Sequence, residues 1–208
     1  DSIALSGIAE RAYPGCQVVA LKDGQVIYQK SFGNYTYNKD SKAVENGTIY
    51  DLASVTKIAA SSLALMKLTS EKKFDYKNSL GFYLPDLAGT DKENMSIEEI
   101  LSHQAGLQAW IPFYEKTLLK SGKYKTGYYA KHKSEDFPTQ VAKHLFVVKG
   151  FKDTIYEKIA KSKLEKPGKY LYSDLGYYFM QKIIEQQTQR KLNEYVADVY
   201  SQIGIGLT

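Results

Sequence analysis

The chain has 208 residues, 43% of them hydrophobic and 25% charged, the proportions of a soluble globular protein with length for one domain or one domain carrying an inserted subdomain. The net charge of +5 comes from scattered lysines, with no basic stripe interleaved with aromatics, which argues against nucleic-acid binding. The single cysteine, Cys16, excludes an internal disulfide, and no apolar stretch approaches the roughly 18 residues of a membrane span.

The N-terminus, Asp1-Ser2-Ile3-Ala4, has neither a basic nor an apolar leader region, so any signal peptide is expected to be already removed or never present. Residues 3–12 can form a short helix. Residues 16–21 are apolar, 22–25 form a turn around Asp23-Gly24, and 26–32 alternate, which predicts a β-hairpin. Residues 33–47 read as irregular with a short strand. The periodicity of 58–68 predicts a helix, and 74–87 reads as a loop ending in Leu84-Pro85-Asp86. Ser96-Ile97-Glu98-Glu99 matches a capping box, so a helix should cover 97–102 and end in a glycine C-cap at His103-Gln104-Ala105-Gly106. Residues 108–137 are the least regular. A strand or extended segment is predicted at 141–148, helices at 151–160, 175–187 and 192–200, and a turn at Pro167-Gly168. Strands followed by helices suggest an α+β arrangement or a sheet with a helical insertion.

The chemistry centres on Ser54-Val55-Thr56-Lys57. Ser54 stands at a helix start, and i, i+3 spacing puts Lys57 on the same face. A serine is a weak nucleophile until a base takes its proton, and a desolvated lysine can serve. Unpaired N–H groups at the helix start favour a developing oxyanion. Alone, the tetrapeptide also fits an N-cap followed by a solvated lysine.

Two further blocks change that balance. Thr48-Ile49-Tyr50-Asp51-Leu52-Ala53-Ser54-Val55-Thr56-Lys57, then Ile100-Leu101-Ser102-His103-Gln104-Ala105-Gly106-Leu107, then Pro167-Gly168 through Tyr172-Ser173-Asp174 and Gly176-Tyr177 follow one another in order. This ordered set resembles the serine β-lactamase and penicillin-binding-protein-type hydrolases, most of all their class C β-lactamase, DD-peptidase and esterase branch. The resemblance implies Ser54 as acylated nucleophile and Lys57 as its proton partner. Tyr172, from the Tyr-x-Asn motif, would be a second acid/base group whose phenol needs a nearby cation to act near neutral pH. Reading Ser173-Asp174 as the start of a Ser-Asp-Asn motif would put Leu175 where an amide is required, so the Tyr172 register is preferred. His103 is read as a packed, structural residue. His132 and His144 share no ligand spacing with it, so no metal site is proposed.

Two departures stand out. Asp174 replaces the family's asparagine; a carboxylate beside Lys57 would form an ion pair and weaken the lysine as a base. The family's third motif, Lys-Thr-Gly or a relative, follows the second, whereas Lys125-Thr126-Gly127 precedes it and is read as a chance match. The chain is expected to be a C-terminally truncated, weakly active piece of a longer protein.

The resemblance implies an α/β (α+β) β-lactamase/transpeptidase-like fold: an antiparallel sheet flanked by helices, its C-terminal strands missing, residues 1–208 forming a single incomplete domain with a mainly helical subdomain at about 70–165. It implies a serine hydrolase acting on a β-lactam-like amide, D-alanyl peptide or small ester, with Ser54, Lys57 and Tyr172 catalytic and Asp174 binding substrate. No cofactor, metal, nucleic acid or membrane span is implied. Expected partners are a small-molecule or peptide substrate and a missing C-terminal segment or another domain, in a periplasmic or other extracytoplasmic setting. The competing reading is a catalytically weak or inert binding module attached to another enzyme.

Overall fold

Asp23 and Gly24 both adopt positive φ, 51° and 75°, the backbone of a tight two-residue hairpin turn. They join β1 (Gly15–Lys22) to β2 (Gln25–Gly33), antiparallel from Gly15 opposite Gly33 to Lys22 opposite Gln25, with a register shift at Ala20/Leu21. This computed structural model describes residues 1–206, and the hairpin belongs to the first of two compact units, Asp1–Ala53 and Ser54–Thr208. The first unit opens with α1 (Ser2–Ala9), as the sequence predicts. Its buried apolar residues are few, Phe32 and Val44, while Val19, Leu21, Val26 and Ile27 are exposed. The Gln17 amide holds the following loop by donating to the Glu45 and Thr48 carbonyls. The short strand expected within 33–47 reduces to one bridge, Asn34 to Ala43.

The second unit holds the main core. The helix expected over 58–68 forms as a π-helical run, Lys57–Ser62, continuing into α2 (Leu63–Ser70). The region read as a loop at 74–87 instead contains α3 (Leu80–Tyr83) and a 3₁₀ turn at Pro85–Leu87. A single turn gives too little periodicity to detect; Leu80, Tyr83 and Leu84 bury one face, and Leu80 and Gly81 N–H donate to the Met95 and Glu93 carbonyls. The serine half of the capping box forms, with Ser96 Oγ accepting from Glu99 N–H at the start of α4 (Ile97–Leu101). The strand expected at 141–148 is divided by a turn at Lys143-His144, where His144 has φ 55°. β3 (Tyr129–Ala130), β4 (Thr139–Ala142) and β5 (Leu145–Val147) make an antiparallel sheet in the order β3-β5-β4. Lys125-Thr126-Gly127 is not on a strand; it leads through a turn into β3, with Lys125 Nζ donating to the Lys116 carbonyl. The expected helices appear as α5 (Phe151–Ala160), α6 (Leu175–Thr188) and α7 (Leu192–Gln202).

α6 is the core's axis. Leu175, Phe179, Met180, Ile183 and Ile184 recur at helical spacing and are almost wholly buried against α2, α3, α4, α5 and α7 residues. Each of these side chains contributes roughly 1.5–3 kcal/mol by its burial. The helical and antiparallel elements together make the expected α+β class. Among the described residues no helix is long and apolar enough to cross a membrane.

Gly176, in the first turn of α6, lets that helix pack closely on α4, because a Cβ there would overlap Ile100 Cγ2. Replacing a helical glycine by alanine ordinarily gains about 1 kcal/mol, but overpacking costs about 1–3. Gly176→Ala should therefore destabilise the protein by up to about 2 kcal/mol. A chemical-denaturation midpoint equal to or above the wild type would show that the α4–α6 contact yields freely.

Candidate active site

Ala53, immediately before Ser54, has φ 42°, a left-handed conformation that costs a non-glycine residue about 1–2 kcal/mol. Its N–H is held by Asp51 Oδ1 at 2.8 Å. Ser54 follows in a turn, exposed to solvent, and the helical run begins directly after it. One turn on, Lys57 N–H donates to the Ser54 carbonyl at 3.0 Å, and Lys57 Nζ donates to Ser54 Oγ at 3.0 Å. The i, i+3 pairing expected from the sequence is present.

Tyr172 and Asp174 come from the segment ahead of α6. This segment is zipped to the loop after α4: Gly168 N–H donates to Gln104 O, Leu171 N–H to His103 O and Asp174 N–H to Ala109 O, each at 2.8 Å. Ser173 faces inward and is buried, its Oγ donating to Gln108 O at 2.6 Å and accepting from Leu175 N–H. With Ser173 turned inward, its two neighbours meet Lys57, whose Nζ lies 2.6 Å from Asp174 Oδ1 and 5.0 Å from the Tyr172 ring centroid. Buried Ser173 also disposes of the Ser-Asp-Asn register.

Asp174 Oδ1 accepts from Lys57 Nζ at 2.6 Å. The lysine side chain is 14% exposed and the carboxylate 45%. A half-exposed pair adds only about 0–1 kcal/mol of stability, so its importance is electrostatic. Burial pulls the Lys57 pKa down, but Asp174 and Tyr172 outweigh it and hold the ammonium above its ordinary value. The Lys57 ammonium lies 5.0 Å from the Tyr172 ring centroid, and it, with the Ser54 hydroxyl, holds the Tyr172 phenol below its ordinary pKa. The Asp174 charge opposes that shift.

The structure therefore brings all four residues singled out in the sequence to one cluster. Two further residues join it: Tyr177, named in the sequence only within the third block, and His103, read there as a packed, structural residue. Tyr177, one turn along α6 from Asp174, has its ring 5.5 Å from Lys57 Nζ. His103 packs its ring 4.5 Å from that of Tyr172 and accepts from Ser173 N–H through Nδ1 at 3.1 Å. The i, i+3 spacing of Asp174 and Tyr177 was available in the sequence; the reach of His103 across 70 residues was not.

Comparison with known proteins places this cluster in context. The family model described as Beta-lactamase matches residues 2–201. An Escherichia coli (strain K12) protein named "Putative D-alanyl-D-alanine carboxypeptidase" is 29% identical over 208 residues, an alignment covering 93% of this chain and 42% of that protein. A protein of the same name from Salmonella agona is 30% identical over 212 residues, covering 94% and 43%. The chain thus spans less than half the length of these relatives. Among solved structures, the octameric penicillin-binding protein homologue from Pyrococcus abyssi superposes with a TM-score of 0.70 at 22% identity, covering 98% of this chain and 42% of that one. A class C β-lactamase from Rhodobacter sphaeroides gives 0.67 at 17% identity, covering 98% and 48%. Because the family model spans nearly the entire chain and the fold neighbours agree with it, this protein belongs to the β-lactamase family.

Proposed function

We propose that the protein is a serine hydrolase working through an ester on Ser54, with Tyr172 as base and Lys57 as a fixed positive charge. The observation that carries this reading is the Lys57 ammonium bonded at once to Ser54 Oγ and Asp174 Oδ1. An ammonium has three donors and no acceptor, so a lysine held charged cannot take the serine proton. It can stabilise a Tyr172 phenolate, and the phenol's lowered pKa supports that role. Ser54 Oγ attacks the acyl carbon while its proton passes to Tyr172 oxygen; Tyr172 then gives that proton to the departing amine or alkoxide. Water, losing a proton to Tyr172, attacks the ester and releases the acid, and Tyr172 returns the proton to Ser54 Oγ.

The substrate class is a D-alanyl peptide, with β-lactam-like amides and small esters sharing the same electrophilic acyl carbon. The relatives' name supports the peptide. An extracytoplasmic setting is part of this proposal, on resemblance. A second reading, a binding module with little or no turnover, is favoured by one observation: Asp174 stands on the Lys57 ammonium where an amide would leave the lysine freer.

A fluorophosphonate probe separates the two. In the full-length protein we expect covalent labelling at Ser54, lost in Ser54→Ala and reduced about 10²-fold or more in Tyr172→Phe. Labelling that persists in Ser54→Ala, or is absent from the wild type, decides for the second reading.

The pH dependence follows from the two shifts. Acylation should rise with pH as Tyr172 ionises below its usual 10.0 and fall as Lys57 loses its proton above 10.5. The Asp174 charge raises both pKa values, so Asp174→Asn should move both limbs to lower pH. Acylation near neutral pH should increase about two- to tenfold, since each unit off the base's pKa gives about tenfold more phenolate below it. A pH–rate profile unmoved by this substitution would remove Asp174 from the account.

A further inference from the structure

Helix α4 ends with a histidine where backbone geometry favours glycine. His103 N–H donates to Ile100 O and Gln104 N–H to Glu99 O, the paired bonds of a Schellman cap, and His103 holds the left-handed C′ position at φ 59°. Gly106, the cap expected from the sequence, lies three residues further on in the loop, at φ 74°. A side chain at C′ carries a steric cost of about 1–2 kcal/mol that glycine avoids. Arg11, Lys72 and Gln189 hold the same left-handed region at other helix ends, so what distinguishes His103 is what its side chain touches.

We propose that His103 is a positioning residue that, as a neutral imidazole, holds Tyr172 within reach of Ser54. This rests on the serine-hydrolase reading above. His103 grips the chain on both sides of Tyr172: its carbonyl accepts from Leu171 N–H at 2.8 Å and its Nδ1 from Ser173 N–H at 3.1 Å. Its ring lies 4.5 Å from the Tyr172 ring at 41°, with the Tyr170 and Tyr177 rings at 6.0 and 5.8 Å. The His103 ring closes one side of Tyr172 and the two bonds fix the chain on either side of it, while Tyr172 itself stays 41% exposed.

The grip depends on protonation state. Nδ1 accepts, so the ring proton sits on Nε2; an imidazolium has no acceptor and would release Ser173 N–H. It would also place a second cation beside Lys57. The charged and titratable groups facing the ring are Lys57, Asp174 and the phenols of Tyr170, Tyr172 and Tyr177. Burial, then the Lys57 charge, keeps the imidazole below its usual pKa of 6.5, against a smaller opposing pull from Asp174. Neutral His103 is therefore the resting form at pH 7.

The test uses the full-length protein and the fluorophosphonate probe. His103→Gly relieves the backbone but removes the imidazole; it should lower the maximal labelling rate of Ser54 by about ten- to a hundredfold, with little change in the half-saturating probe concentration. The wild-type rate should also fall on acidification with a midpoint below 6.5, and His103→Asn, which tolerates the left-handed backbone and does not titrate, should lack that step. Long-range ¹H–¹⁵N spectra of the wild type should show the Nε2–H tautomer at pH 7. A histidine that only caps the helix would leave His103→Gly reacting at the wild-type rate, and that result, or an Nδ1–H tautomer, overturns the proposal. A wild type unlabelled at Ser54 instead sinks the hydrolase reading and the His103 role with it.

Discussion

The ion pair between Lys57 and Asp174 is the constraint on which the cluster's electrostatics depend. It joins two residues 117 positions apart and sets the ammonium between a hydroxyl, a carboxylate and a phenol ring. Its contribution to folding is small, because half of the carboxylate is in water. Its effect on protonation is not. Desolvation alone would leave more of Lys57 neutral and free to accept a proton; Asp174 and Tyr172 together reverse that and keep the charge in place.

The geometry around the pair is held by a core that has no chemistry of its own. Lys57 opens a helical run leading into α2, whose Ala64, Leu65 and Leu68 are buried, and Asp174 stands at the threshold of α6, whose apolar stripe is the most buried surface in the unit. Both residues stand at the ends of buried helices, which fixes their backbone positions while leaving the Asp174 carboxylate half in water and the Lys57 side chain 14% exposed. Between them, the loop after α4 acts as a bed: the carbonyls of residues 103, 104 and 109 accept the N–H groups of 171, 168 and 174. The blocks around His103 and Tyr172 therefore occur together for a mechanical reason, since one is laid on the other.

Much of this was legible in the sequence, and what was not has identifiable causes. The hairpin followed from Asp23-Gly24, α4 from its capping box, and α5 to α7 from apolar spacing, because each signal is local and strong. α3 escaped because one turn carries too little periodicity, and the split of β4 from β5 because His144, not glycine, takes the left-handed turn position. The same blind spot hid the end of α4. A rule that looks for glycine at a helix C-cap finds Gly106, while the cap is His103. The four candidate residues could be named from spacing and motif order, and the pairing of Asp174 with Lys57 rested on the resemblance until the fold brought them to 2.6 Å. His103 was legible as a packed residue and Tyr177 as part of the third block, but the direction of their rings toward Tyr172 and Lys57 was not, because only packing decides it.

The arrangement separates two groups that would otherwise be nearly equivalent. Lysine and tyrosine have ordinary pKa values of 10.5 and 10.0, so a free pair would exchange a proton with little preference. Here the neighbours push them in opposite directions: Asp174 and Tyr172 together outweigh desolvation at Lys57, while Lys57 and Ser54 outweigh it at Tyr172. When environments split a pair in this way, the roles of acid and base are assigned by surroundings, not by residue type. In the proposed reaction Lys57 stays the charge and Tyr172 moves the proton. Asp174 appears on both sides of this balance. It holds Lys57 charged, which helps the phenolate, and it repels the phenolate directly, which hinders it. The lowered Tyr172 pKa means that Lys57, in direct contact, wins over the more distant and half-solvated carboxylate. A carboxylate at position 174 therefore restrains the proposed base without abolishing it, which places the cost of the departure from asparagine on rate, not on the assembly of the site.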